Sequence, residues 1–140
     1  VVETNLFGAF YVARYFLPAF LAQRFGRIIL MASLGTTGVS GQANYAASKA
    51  GLLGLSATLA KEYGRKGITS NVVSPGFFET DMTRAGMSEG NRAFWLAHNP
   101  LGRLGELPEL AKLIGFLASP GADYINGQEI RVDGGLGWAP

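Results

Sequence analysis

The chain has no cysteine and a single histidine, His98, which excludes disulfide bridges and thiolate chemistry. No acidic cluster at ligand spacing accompanies His98, so it reads as a surface or flap residue rather than a metal ligand. Charge is scarce as well, at 16% of residues with a formal net charge of +2, and its dispersal argues against a nucleic-acid partner. No apolar run is long enough for a membrane span and no signal peptide opens the chain, which reads as soluble and cytoplasmic. The 6 prolines and 20 glycines are scattered instead of gathered in a linker, so neither an internal boundary nor a repeat is visible. What remains is 140 residues at 48% hydrophobic content, enough for one globular unit with a core.

Hydrophobic spacing divides the chain. Residues 2–20 place Leu6, Phe10, Ala13, Leu17 and Leu21 on one stripe, which predicts a helix tolerating Pro18 near its end. Residues 27–32 form a short apolar run, the pattern of a strand buried on both faces. A second long helix is predicted over residues 43–63, stopped near Gly64 and Gly67, with a strand at 68–74. Residues 77–99 mix aromatic and polar side chains with breaks at Gly86 and Gly90, which fits a mobile flap over a pocket or a short peripheral helix pair. Pro108 introduces a helix over 107–117, and residues 129–132 form a closing strand before Gly134-Gly135. Strands separated by helices predict an α/β fold with a parallel sheet of right-handed crossovers.

The strongest chemical signal is Tyr45-Ala46-Ala47-Ser48-Lys49, with Ser33 and Asn5 upstream. Tyr45 and Lys49 lie four residues apart on one helix face. An ammonium about 4–5 Å from a phenol would interact by roughly 3–4 kcal/mol at an effective dielectric of ~20 and help it exchange protons near neutral pH. Ser33 follows Ile28-Ile29-Leu30-Met31-Ala32 and can donate to an oxygen becoming alkoxide-like. These groups suit carbonyl reduction or alcohol oxidation, although a Tyr and a Lys at this spacing are also common on surface helices.

The surrounding motifs come in a telling order: Asn5-Leu6-Phe7-Gly8, Gly26-Arg27-Ile28-Ile29, Ser33, Tyr45-x-x-x-Lys49, Ser74-Pro75-Gly76 and Val132-Asp133-Gly134-Gly135. This set resembles the short-chain dehydrogenase/reductase family over essentially the whole chain. The runs 41–51 and 75–82 are most similar to its 3-oxoacyl-[acyl-carrier-protein] reductases. The resemblance implies the C-terminal part of a Rossmann-like doubly wound parallel sheet, three strands visible, flanked by helices. Residues 1–140 would then be the C-terminal catalytic portion of a single domain. The family's T-G-x-x-x-G-x-G turn, which seats the cofactor pyrophosphate, has no match, and Gly35, Gly38 and Gly41 do not form it. With Val1 in first place, the N-terminal dinucleotide-binding half is expected to be absent. The first strand would then expose an apolar edge, and the isolated chain would be marginally stable or self-associating.

By the same resemblance Tyr45 is the catalytic acid/base and Lys49 supports it while holding the nicotinamide ribose. Ser33 orients the carbonyl, and Asn5 holds a water that relays protons; Asn5 read alone is an ordinary polar residue near a helix start. Pro75, Gly76, Phe78 and Thr80 frame the nicotinamide, unless they are a strand-ending turn and a helix cap with Thr83. The loop from Ser33 to Tyr45 is one residue shorter than in the reductases it resembles, which makes Ser40 the reserve candidate. Ser70 and Asn126 also depart from the pattern, at positions that affect packing. Glu79 and Asp81 are expected to pair with Arg84.

NADP is the implied cofactor and NAD a possible one, because the residue that discriminates them follows a strand outside this chain. The implied substrate is a small carbonyl or alcohol compound, first a 3-oxoacyl thioester. Arg24 and Lys66 match positions that meet the acidic acyl carrier protein, or are scattered surface cations. The family also implies a homo-oligomer, dimer or tetramer. Two alternatives stay open: the same chemistry on a sugar, polyol, steroid or simple alcohol, and a non-catalytic half that only assembles with other subunits.

Overall fold

The computed structural model describes residues 1–138. A π-helical turn, Glu3–Phe7, runs into helix α1 (Gly8–Gln23), and strand β1 (Gly26–Met31) follows. Helix α2 (Ala43–Tyr63) leads to strand β2 (Ile68–Pro75). Two short helices, α3 (Asp81–Gly86) and α4 (Glu89–His98), precede helix α5 (Leu107–Ala118) and strand β3 (Glu129–Val132). The strands form one parallel sheet in the order β1-β2-β3, with Gly26 opposite Ile68 and Val72 opposite Glu129. Parallel neighbours require crossovers, and α2 and α5 supply them.

Two apolar layers sandwich the sheet. On one side Ile28, Leu30 and Val72 pack with Ala13 of α1 and with Leu52 and Leu59 of α2. On the other, Val73 packs with Leu117 of α5, and Ile29, Met31, Ile130 and Val132 gather around them. Strand β2 lies in the middle, and its residues from Ile68 to Ser74 are all buried. Strand β1 departs from the expected burial on both faces, because its burial alternates along the strand. It pairs with β2 alone among the described residues, so its outer edge lacks a neighbour to close the half-buried face.

The α1 stripe is also only partly as expected. Ala13 is buried and Leu6, Leu17 and Leu21 pack on the core, but Phe10 is 45% exposed. Phe7, Tyr11 and Tyr15 are exposed beside it, so α1 is apolar on a second face that the sheet cannot reach.

A central strand carrying Ser70, Asn71 and Ser74 must satisfy their polar groups internally. Ser70 Oγ pairs with Ser56 Oγ of α2 at 2.9 Å, and Ser70 N–H donates to Asn126 Oδ1 at 2.8 Å. Asn71 donates to Ile125 O and accepts from Gln128 N–H, and Ser74 donates to Glu129 Oε1. Ser70 and Asn126 thus act in packing: they clip the approach to β3 onto β2.

Candidate active site

Parallel strands send their connecting loops out at the same end, and here that end gathers the predicted residues. Ser33 lies just beyond β1, Pro75 and Gly76 at the end of β2, and Tyr45 in the first turn of α2. Ser33, Tyr45, Pro75 and Gly76 line one cavity of about 500 Å³, together with Phe77 and Trp95. Lys49 and Asn5 line a second cavity of about 470 Å³ along β1. Tyr45 therefore borders one space while Lys49, a turn further along the helix, borders another.

Ser33 caps the short turn Leu34–Thr37, its Oγ accepting from Gly35 N–H at 3.1 Å. Among the described residues nothing accepts its own hydroxyl proton. Gly35 explains the closeness of loop and helix: a Cβ there would sit 3.1 Å from Tyr45 Cε1 and 3.5 Å from Ser33 Oγ. Ser40, the reserve candidate, is exposed and does not line the cavity.

The ammonium of Lys49 reaches both the Tyr45 ring and the end of β1. It lies 5.9 Å from the Tyr45 ring centroid and donates to Met31 O at 2.8 Å. A backbone carbonyl at the end of β1 attracts it more directly than the ring does. Burial holds its pKa below the ordinary lysine value of 10.5. Asn5 sits within the π turn and donates to Ser48 Oγ at 3.1 Å, and Ser48 Oγ donates to Tyr45 O at 2.7 Å.

Phe78 and Thr80, expected at the nicotinamide end, do not line the Tyr45 cavity. Phe78 is 6% exposed and pairs by a backbone bridge with Gly105, facing a smaller cavity of about 100 Å³. Thr80 is the N-cap of α3, its Oγ1 accepting from Thr83 N–H at 3.1 Å while Thr83 Oγ1 accepts from Thr80 N–H at 2.8 Å. Gly76 has a packing reason of its own, since a Cβ there would meet Asp133 Cβ at 2.8 Å.

The segment 77–99 is a helix pair that also walls the pocket. Trp95 of α4 stacks on Phe77 with ring centroids 4.4 Å apart. Glu79 pairs with Arg84 at 3.8 Å, and Arg84 lies 3.9 Å from Asp81. Glu79 also binds Arg92, a partner on α4 that spacing did not reveal. These cations hold the Glu79 carboxyl below its ordinary pKa of 4.5, the Arg92 hydrogen bond first. His98 is exposed with Nδ1 2.8 Å from Phe94 O, and no group of three potential metal ligands occurs among the described residues. No helix among them is long and apolar enough to cross a membrane.

Sequence reasoning missed Gly35, Gln42 and Arg131, all of which line the Tyr45 cavity. For Arg131 a signal existed: alternation along Glu129-Ile130-Arg131-Val132 puts it on the face opposite the two apolar residues.

The parallel α/β sheet flanked by helices is matched by what comparison with known proteins finds. Residues 1–137 match a family model described as Enoyl-(Acyl carrier protein) reductase, and the chain belongs to the short-chain dehydrogenase/reductase family. Over 137 residues it is 51% identical to the 3-oxoacyl-[acyl-carrier-protein] reductase FabG of Salmonella typhimurium and to that of Escherichia coli, covering 97% of this chain and 56% of each relative. The Haemophilus influenzae reductase of the same name is 46% identical over the same length. A solved structure of gluconate 5-dehydrogenase from Burkholderia cenocepacia, in complex with NADP and tartrate, superposes with a TM-score of 0.90 at 35% identity. That match covers 97% of this chain and 54% of the other. The chain thus spans about half the length of the relatives it matches.

Proposed function

We propose that this chain is the C-terminal catalytic part of an NADP-dependent reductase that converts 3-oxoacyl thioesters to 3-hydroxyacyl thioesters. The observation that carries this is the placement of Ser33 and Tyr45 in one cavity of about 500 Å³, with Lys49 one helical turn away. The identity of about half the residues with 3-oxoacyl-[acyl-carrier-protein] reductases supports the substrate.

The residues present fit a nicotinamide coenzyme. Lys49 spends one N–H on Met31 O and keeps two donors at the second cavity, a match for a pair of ribose hydroxyls. Tyr45, Pro75 and Gly76 border the adjoining space. A bound coenzyme would supply the hydride. Tyr45 transfers its phenolic proton to the carbonyl oxygen, while the Ser33 hydroxyl, keeping its own proton, hydrogen-bonds to the same oxygen as negative charge grows there. Lys49 returns a proton to Tyr45, replenished through a water held at Asn5.

Arg24 and Lys66 precede β1 and β2, at the end of the sheet opposite Ser33 and Pro75. An acyl carrier protein docked on them would face away from this chain's Tyr45, so they would serve the site of a second copy. The exposed aromatic face of α1, with Phe7, Phe10 and Tyr11, would join such copies. Cytoplasmic action belongs to the same proposal.

A second reading is favoured by the Burkholderia relative, a gluconate 5-dehydrogenase: the same residues acting on a polyhydroxy acid. The deciding assay follows consumption of NADPH or NADH by the longest natural form of the chain, offered 3-oxobutanoyl-pantetheine or a keto-gluconate. Thioester turnover that drops about 10²–10⁴-fold in Tyr45→Phe supports the proposal. Turnover of the sugar acid alone transfers support to the second reading, and no turnover of either with an intact fold overturns both.

A further inference from the structure

We infer that Arg131 is a specificity residue of this site, selecting carbonyl substrates that carry an oxyanion beyond the reacting carbonyl. The inference rests on the proposed reaction at Tyr45 and adds the substrate's charge.

Strand β3 turns Ile130 and Val132 toward Val73 and Leu117, which leaves Arg131 on the other face, where it lines the Ser33–Tyr45 cavity. Among the described residues it is the one charged side chain lining that cavity. The remaining wall is largely apolar, with Leu34, Val39, Phe77, Trp95 and Leu136. Such surroundings strengthen any charge pair formed inside them.

The guanidinium is oriented but not saturated. Its Nη2 lies 3.7 Å from Glu129 Oε2, beyond the roughly 2.7–2.9 Å of a charge-assisted hydrogen bond. Glu129 is itself anchored, its Oε1 accepting from Ser74 Oγ at 2.7 Å. Arg131 makes no side-chain hydrogen bond to another described residue, and its side chain is 40% exposed. Its Nη1 lies 3.3 Å from where a Cβ on Gly137, another residue of the cavity wall, would sit, which leaves a planar fork of donors beside the cavity, suited to a carboxylate or a phosphate. Two sources fit: a carboxylate on a short oxo acid, or the phosphate of a pantetheine arm.

The test compares two substrate pairs on the longest natural form of the chain. Ethyl 3-oxobutanoate against the monoethyl ester of 3-oxopentanedioate adds a carboxylate. 3-Oxobutanoyl-pantetheine against 3-oxobutanoyl-4′-phosphopantetheine adds a phosphate. The parent should favour the charged member of at least one pair, and Arg131→Gln should raise the KM of that member about tenfold more than the KM of its neutral counterpart. Arg131→Lys should recover part of the loss, and the pair affected identifies the source. Equal KM changes for charged and neutral members, or an unchanged preference in Arg131→Gln, overturn the inference. If no compound is reduced, the proposed reaction fails, and quenching of tryptophan fluorescence by the same compounds still decides the role of Arg131. Quenching by a charged member that weakens about tenfold in Arg131→Gln supports it, and quenching independent of Arg131 or absent overturns it.

Discussion

Asn5 and Ser48 are joined by a 3.1 Å hydrogen bond across 43 residues of sequence. The bond ties the π turn before α1 to the first turns of α2, and Ser48 passes the connection on to the Tyr45 carbonyl at 2.7 Å. Ser48 is 1% exposed and uses its hydroxyl both to donate and to accept. The helix turn that presents Tyr45 is thereby braced from outside the helix.

Ser48→Ala removes that brace and leaves the Asn5 amide without its partner. Stability should fall by about 1 kcal/mol, the net worth of a typical hydrogen bond. Thermal unfolding of parent and variant measures it, and an unchanged midpoint would show that the bond contributes nothing.

Lys49 gives a pH signature. Its pKa is lowered by burial, so the folded chain holds this proton less tightly than the unfolded chain, whose value is 10.5. The charged group therefore opposes folding below the lowered value, and the penalty fades as pH rises from there toward 10.5. Parent stability relative to Lys49→Met should increase over that alkaline window. Denaturant titrations at a series of pH values test this, and parallel profiles for the two proteins would count against the burial effect.

Glu109 acts at the acid end. The Arg103 guanidinium, which binds both of its oxygens at 2.6 and 2.8 Å, and the Glu106 backbone N–H hold its pKa down to about 2. A lowered carboxylate pKa contributes stability above the unfolded value of 4.5, and that contribution is lost as pH falls toward 2. Glu109→Gln should unfold with a shallower dependence on pH across this window. Circular dichroism melts between those limits would reveal the difference, and identical slopes would sink the assignment.

Gly76→Ala places a Cβ 2.8 Å from Asp133 Cβ and 2.9 Å from Asp133 Cα. Neither atom is the free end of a flexible side chain, so the backbone must move, at a cost of about 1–3 kcal/mol. The variant should melt lower and turn over more slowly, since Gly76 lines the Tyr45 cavity. A variant with parent-like melting would show that the close approach is easily relaxed.

The long elements were legible because each carries an unambiguous local signal. Helix α2 runs from Ala43 to Tyr63 and strand β3 from Glu129 to Val132, as their spacing predicts. The end of α1 was less legible, since its apolar residues continue past Phe20 to Leu21 and the helix to Gln23. Thr80 was ambiguous in sequence because a threonine three residues before another serves equally as a ligand group or a cap, and in the structure its hydroxyl is spent on the cap. Lys49 was predicted on the right face of α2, but its partner Met31 O comes from a strand 18 residues away, which helical spacing cannot foresee.

By itself the sequence determined the α/β alternation, the placing of Tyr45 and Lys49 on one helix, and the motif order that marks the family. Those depend on local periodicity and on residues close together in the chain. Only the tertiary structure decided which groups share a cavity. Strand pairing brought Pro75 beside Ser33, Gly35 let the Tyr45 ring approach, and β3 carried Arg131 into the same space from the far end of the chain. Such relations arise from the register of strands distant in sequence, where one residue of slip would turn Arg131 to the opposite face.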